Sequence, residues 1–127
     1  MDTRISINDI LGLNLGDVHV IRNAGGIATD DAIRSLIISH ELLGTEEFIV
    51  INHTDCGMMK FKENDLQKRI SEKYDKDSSN LKFYTFYDLK ENLIEQVNKI
   101  KSSPFFPGIP VYGFIYDVKT GKLEHVI

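Results

Sequence analysis

The sequence predicts an α/β fold: a mostly parallel central sheet flanked by helices, with a C-terminal β-hairpin. Three observations predict it. Short apolar runs alternate with stretches whose apolar residues recur at helical spacing. One run, Glu47-Phe48-Ile49-Val50-Ile51-Asn52, is apolar almost without interruption, as in a strand buried on both faces of a parallel sheet. The last two strand-like runs are separated by Lys119-Thr120-Gly121, which reads as a hairpin turn.

After a polar start, residues 7–15 read as a short helix or turn, broken at Gly16-Asp17. Val18-His19-Val20-Ile21-Arg22 reads as a short strand, and Asn23-Ala24-Gly25-Gly26 as a glycine-rich loop. Thr29, Asp30 and Asp31 signal a helix start: a short polar side chain caps bare N–H groups, and the helix dipole favours carboxylates there. Ile33, Leu36, Ile37 and Leu43 follow at helical spacing, and Gly44 is a good stop. The apolar strand over residues 47–52 comes next, and His53-Thr54-Asp55-Cys56-Gly57 directly after it. Residues 60–86 are polar and weakly patterned, which suggests one or two short helices and a solvated loop near residues 76–80. Asp88 with Glu91 resembles a capping box. Leu89, Leu93, Val97 and Ile100 then form one apolar helical face that ends before Pro104. Residues 111–118 and 123–127 are the strands of the hairpin. No internal repeat is present.

Composition narrows the function classes. The chain has 127 residues and no Pro/Gly/Ser-rich linker, so residues 1–127 are expected to form a single domain. At 42% hydrophobic and 27% charged residues, it is expected to be a soluble globule. A formal net charge of -4 argues against a nucleic-acid partner, which calls for a basic face. No apolar run approaches the roughly 20 residues of a membrane span, and MDTRISIND lacks the pattern of a signal peptide. A cytoplasmic location is expected. Cys56 is the only cysteine, so it is a buried structural thiol, a metal ligand or a nucleophile.

In open parallel sheets, ligands bind beyond the carboxyl ends of strands. Two segments fall there: Arg22-Asn23-Ala24-Gly25-Gly26 and His53-Thr54-Asp55-Cys56-Gly57. A histidine and a cysteine three positions apart on a tight turn can reach one ion, and imidazole nitrogen and thiolate are ordinary zinc ligands. The spacing also suits a loop histidine beside a buried thiol. Gly25 and Gly26 supply either backbone freedom for the turn or room for a small ligand to approach main-chain N–H groups. The P-loop pattern is absent. Asp2 and Arg4, on their own, read as solvated charges.

Taken together, Met1-Asp2-Thr3-Arg4, Gly16-Asp17, Arg22-Asn23-Ala24-Gly25-Gly26 and His53-Thr54-Asp55-Cys56-Gly57 resemble the β-class carbonic anhydrases in order and spacing. The similarity continues through Lys101-Ser102-Ser103-Pro104 to the final hairpin and is strongest to the compact bacterial and archaeal branch. The resemblance implies a zinc lyase that reversibly hydrates CO2 to bicarbonate. In such enzymes two cysteines, one histidine and a water hold Zn2+, and the metal lowers the pKa of that water to about 7, giving a hydroxide that attacks CO2. It implies that His53 and Cys56 are metal ligands. Asp2 and Arg4 match the family's catalytic carboxylate–guanidinium dyad, with Asp2 an alternative ligand if Arg4 releases it. Ala24 and Gly25 match the loop lining the substrate pocket. His19, His40 and His125 match no motif and are expected to be structural or surface residues. A homodimer or higher homo-oligomer is also implied.

One departure tempers these expectations. The family's first cysteine ligand stands immediately before the M-D-[ST]-R motif, which here begins at Met1. The N-terminal helix and first, central strand of the family are likewise not in the sequence. A fragment or a start assigned too far downstream is the favoured explanation, for instance through a selenocysteine codon read as a stop. A segment or partner chain that fills the gap, or a degenerate relative, are the alternatives. The chain as given is therefore expected to bind zinc weakly and to turn over little. Hydrolysis of CS2 or COS at the same site, and a catalytically defective binding or scaffold role, are the competing functions.

Overall fold

The computed structural model describes residues 1–127. A short helix α1 (Ile7–Leu11) precedes the glycine-rich turn at Ala24–Gly26. Helix α2 (Asp30–Leu43) starts where the sequence signals it: the Thr29 side chain accepts a hydrogen bond from the Ala32 N–H. It ends at Gly44, whose φ of 74° is the left-handed conformation that glycine adopts freely. Strand β1 (Phe48–His53) leads into a tight turn at Gly57–Met59. The polar middle holds one helix, α3 (Glu63–Tyr74), with no buried residue. Helix α4 (Leu89–Lys101) is capped by Asp88, whose carboxylate accepts from the Glu91 N–H at 2.8 Å. Strands β2 (Val111–Tyr116) and β3 (Leu123–His125) form the closing hairpin. In its turn the Asp117 carboxylate accepts from the Lys119 and Thr120 N–H groups.

The sheet is small and mixed, in the order β1-β2-β3. Strands β1 and β2 are parallel, with Phe48 opposite Val111 and His53 opposite Tyr116. Strand β3 runs antiparallel to β2, Phe114 facing His125. Helix α4 covers one face. Leu93, Val97 and Ile100 point inward, as their spacing predicts, and form the core with Phe48, Phe106, Val111 and Ala28. Burying each large apolar side chain is worth roughly 1.5–3 kcal/mol. The helix lies so close to β2 that a Cβ on Gly113 would stand 2.9 Å from Val97. A larger residue there would push α4 off the sheet.

Two sequence expectations fail at the same place. Residues 18–22 form no strand, and none of their backbone groups takes part in a backbone–backbone hydrogen bond. Strand β1 is not buried on both faces along its length: Ile49 remains 47% exposed. The cause is shared. Apolar, β-branched sequence favours extended backbone, but a strand is completed by its neighbour, and no chain lies between residues 18–22 and β1.

The three histidines outside any motif take structural positions. The His19 Nδ1 lies 2.7 Å from the Ser39 hydroxyl, which in turn meets that of Thr45. His40 Nδ1 donates to the Thr45 carbonyl. His125 packs against Phe114 and Tyr112.

Candidate metal centre

Strand β1 delivers His53 to its carboxyl end, where the ring is held by its own turn. His53 Nδ1 lies 2.8 Å from the Thr54 carbonyl oxygen. A carbonyl only accepts, so Nδ1 carries a proton, and Nε2 is the ring nitrogen turned toward Asp2. Fixing one ring nitrogen on a carbonyl is how ligand histidines are commonly aimed at metals. Two bonds pin the turn to β2 and the residues just after it: the Thr54 N–H donates to the Tyr116 carbonyl, and the Thr54 hydroxyl accepts from the Val118 N–H. Asp55 then takes a φ of 54°, an uncommon conformation for a side-chain-bearing residue. This reverses the chain and buries Cys56 to 5% exposure. His53, Cys56 and Asp2 line one groove, and Asp2 Oδ2 stands 3.8 Å from His53 Nε2.

Arg4 holds Asp2 in a fork. Its Nε donates to Oδ1 at 2.9 Å and its Nη2 to Oδ2 at 2.7 Å, while the Arg4 backbone N–H adds a third bond to Oδ1. These bonds hold the Asp2 carboxyl far below the usual carboxylate range, so it stays ionised. Behind the fork lie residues that the sequence did not single out. Arg4 Nη1 donates to Asp55 Oδ2 at 2.8 Å, and Lys60 Nζ donates to Asp55 Oδ1 at 2.6 Å. Lys60 and Arg4 together lower the Asp55 carboxyl to about 2. Arg22 closes the other side by donating to the Asp2 carbonyl. Solvent screens these partly exposed pairs, so the chain Lys60–Asp55–Arg4–Asp2 acts on orientation far more than on stability.

The glycine loop is fixed from below. Asn52 donates to the Gly25 carbonyl at 3.2 Å and accepts from Asn92 at 2.8 Å. Gln96 donates to Asn92 at 3.2 Å and accepts from the Ala28 N–H at 3.0 Å. Asn52, Asn92 and Gln96 are all buried, so each bond satisfies a group that would otherwise be costly. Asn23 closes the loop on itself through Ile27. Gly26 sits at φ 62°, and a Cβ there would stand 2.5 Å from the Asn52 amide. Here glycine is a steric requirement as well as a conformational one. Ala24 and Gly25 face the groove together with the apolar Met58, Phe61 and Phe86.

The donor chemistry fits zinc: an imidazole with a free Nε2 and a thiol, at one strand end. The set is incomplete within residues 1–127, because no three His, Cys, Asp or Glu side chains converge to hold an ion. The carboxylate beside His53, Asp2, is engaged on both oxygens by Arg4. Of the residues that the sequence nominated, the structure places Asp2 in contact with Arg4 and within 3.8 Å of His53, and Cys56 lines the same groove. Sequence reasoning missed Asp55, Lys60, Asn52, Asn92 and Gln96. One signal was available for the last two: Asn92 and Gln96 are polar residues at i, i+4 spacing beside the apolar stripe of α4.

Comparison with known proteins identifies the family. Residues 1–123 match the carbonic anhydrase family model. Beta-carbonic anhydrase 1 of Mycobacterium tuberculosis is 41% identical over 131 residues, covering 99% of this chain and 77% of that protein. A carbon disulfide hydrolase of Acidithiobacillus thiooxidans is 37% identical over 144 residues, covering 98% of this chain and 72% of that one. The crystal structure of carbonic anhydrase from Streptococcus mutans superposes with a TM-score of 0.96 at 42% identity, over 100% of this chain and 77% of its own. With a family match across nearly its whole length and a 41% identical relative covered to 77%, this chain belongs to the β-class carbonic anhydrases.

Proposed function

We propose that the protein catalyses the reversible hydration of CO2 to bicarbonate, with Zn2+ as its metal. The observation that carries this reading is the ionised Asp2, forked by Arg4 and facing His53 Nε2 at 3.8 Å. Zinc, when bound, supplies a Lewis acid that makes a nucleophile from water near neutral pH. The chain's own residues do the rest. His53 and Cys56 contribute donors. Asp2, kept as a carboxylate, accepts a hydrogen bond from a water at the site and so fixes its direction. Ala24 and Gly25, on a loop held rigid by Asn52, border a small partly apolar space suited to an uncharged linear molecule. Met58, Phe61 and Phe86 on its wall limit access by bulk water.

Zinc per chain by elemental analysis, with stopped-flow CO2 hydration, tests the reading. His53→Ala and Cys56→Ser should each lower zinc content. Unchanged zinc in both variants would remove the assignment of these ligands. The 37% identity to a carbon disulfide hydrolase keeps CS2 as a second substrate reading, and sulfide release from CS2 under the same conditions separates the two. A homodimer or higher homo-oligomer is part of the proposal. Leu42, Leu43, Tyr87 and Phe105 are more than half exposed, an amount of open apolar surface that favours self-association. A monodisperse monomer at micromolar concentration in light scattering would count against it.

A further inference from the structure

The turn that carries His53 and Cys56 closes on itself. Asp55 stands between them at a φ of 54°, a left-handed conformation that aspartate tolerates better than most side chains do. After Cys56 the chain tightens: the Met59 N–H donates to the Cys56 carbonyl, and the Lys60 N–H to that of Gly57. This winding brings Lys60 back to Asp55, where Nζ lies 2.6 Å from Oδ1. The ion pair therefore closes a loop of chain that contains Cys56.

Arg4 grips this loop from outside, and it does so with an edge of the guanidinium that Asp2 does not use. Nε and Nη2 face the Asp2 carboxylate. Nη1 and Nη2 face Asp55, at 2.8 Å from Oδ2 and 3.2 Å from its carbonyl oxygen. A planar fork held on two edges turns about neither. The Asp55 carbonyl belongs to the peptide bond that leads into Cys56, and Asp2 is the carboxylate beside His53. One guanidinium thus fastens the carboxylate that faces His53 to the backbone between the two donors. The side chains in this row are partly exposed, so what they fix is direction.

We propose that Asp55 is a positioning residue of this centre: through Arg4 it locks the turn of His53 and Cys56 and the Asp2 carboxylate into one rigid body, and Lys60 keeps its carboxylate aimed at Arg4. The consequence for turnover rests on the zinc reading above; the mechanical link does not. Asp55 has two separable parts. Its backbone shapes the turn, and glycine adopts that conformation freely. Its carboxylate holds Arg4 and Lys60, and glycine offers nothing in its place. Asp55→Gly therefore keeps the turn and cuts the link. Asp55→Asn also suits the turn, but it has one acceptor oxygen for two cationic donors and no charge.

NMR of the isotope-labelled chain at neutral pH tests the link. In the parent protein the Arg4 Nη protons should give separate signals, because rotation of the guanidinium is blocked. Asp55→Gly should merge them and speed exchange of the Arg4 Nε proton several-fold, while amide protection in β1 and α4 stays as in the parent. The second readout is the carbon signal of the Asp2 carboxyl in a double-mutant comparison. Lys60→Met should shift it in the parent and leave it unmoved in Asp55→Gly, because the influence of Lys60 reaches Asp2 only through Asp55. Where Asp55→Gly fails to fold, the same comparison in Asp55→Asn decides, with the shift reduced several-fold. Unchanged Arg4 signals, or an equal response of Asp2 to Lys60→Met in both backgrounds, would overturn the proposal. With zinc supplied, kcat/KM for CO2 hydration per bound zinc should fall about tenfold in Asp55→Gly, with zinc per chain unchanged. Equal turnover per zinc with Arg4 freed would overturn the positioning role. A link seen by NMR in a chain with no zinc-dependent turnover would leave the link standing and remove the zinc reading.

Discussion

At the scale of single residues, the site depends on side chains that never face the substrate. Arg4 can offer Asp2 a stable fork because its remaining nitrogen is taken up by Asp55, and Asp55 is in turn held by Lys60. Lys60 is 62% exposed and would pass for an ordinary surface charge in any sequence reading. Replacing it with methionine keeps most of its length and removes its charge. The expected outcome for Lys60→Met is unchanged folding but a looser Arg4, seen as faster exchange of the Arg4 Nε proton by a few-fold in NMR. Lys60→Arg should restore it, since a guanidinium also donates to a carboxylate. An Arg4 signal identical in all three proteins would show that Asp55 needs no help from Lys60.

At the scale of elements, helix α4 joins core and site. Its apolar residues fill the core while Asn92 and Gln96, one turn apart, hold Asn52 and the Ala28 N–H. For Asn92→Leu, the Asn52 oxygen and the Gln96 amide lose their partner. Leaving buried groups unsatisfied costs about 1–3 kcal/mol, which denaturant unfolding should register. Exchange at residues 23–28 should rise with it. Glu63 helps to hold the segment leading into α4: it accepts from the Phe83 and Thr85 N–H groups. These bonds, that of Phe83 first, lower the Glu63 carboxyl below its ordinary value. A depressed carboxyl stabilises the fold above its unfolded pKa, near about 4.3 for glutamate, and that stability fades as pH falls through the folded value. Phe83 and Thr85 amides should therefore lose protection below about pH 4 while the core amides of α4 stay protected. Glu63→Gln should abolish that acid step, and a protection profile with the same step in Glu63→Gln would assign it to another group.

At the scale of the whole molecule, the donors that residues 1–127 bring together set what the zinc reading predicts. The 127-residue chain is expected to hold zinc substoichiometrically and to hydrate CO2 slowly, because His53 and Cys56 have no third side chain with them and Asp2 is occupied by Arg4. Were Asp2 to bind the metal instead, it would leave Arg4 and no longer orient water. Full zinc occupancy by elemental analysis together with rapid turnover in stopped-flow would refute this and reveal a ligand from elsewhere.

The sequence by itself determined the α/β class, both capped helices and the hairpin, and it nominated the four residues Asp2, Arg4, His53 and Cys56. Those features are written in local pattern: cap chemistry, the spacing of Leu93, Val97 and Ile100, and motifs in a recognisable order. Only the tertiary structure decided whether the apolar run at residues 18–22 becomes a strand, since hydrogen bonds to a neighbour, not propensity, complete one. It alone brought Asp55 and Lys60 behind Arg4, across a sequence separation of 51 residues between Arg4 and Asp55. It alone showed Asn92 and Gln96 to be buried supports of the glycine loop. No local pattern encodes such contacts, because each partner is chosen by the packing of α4 against β1 and by the turn that follows His53.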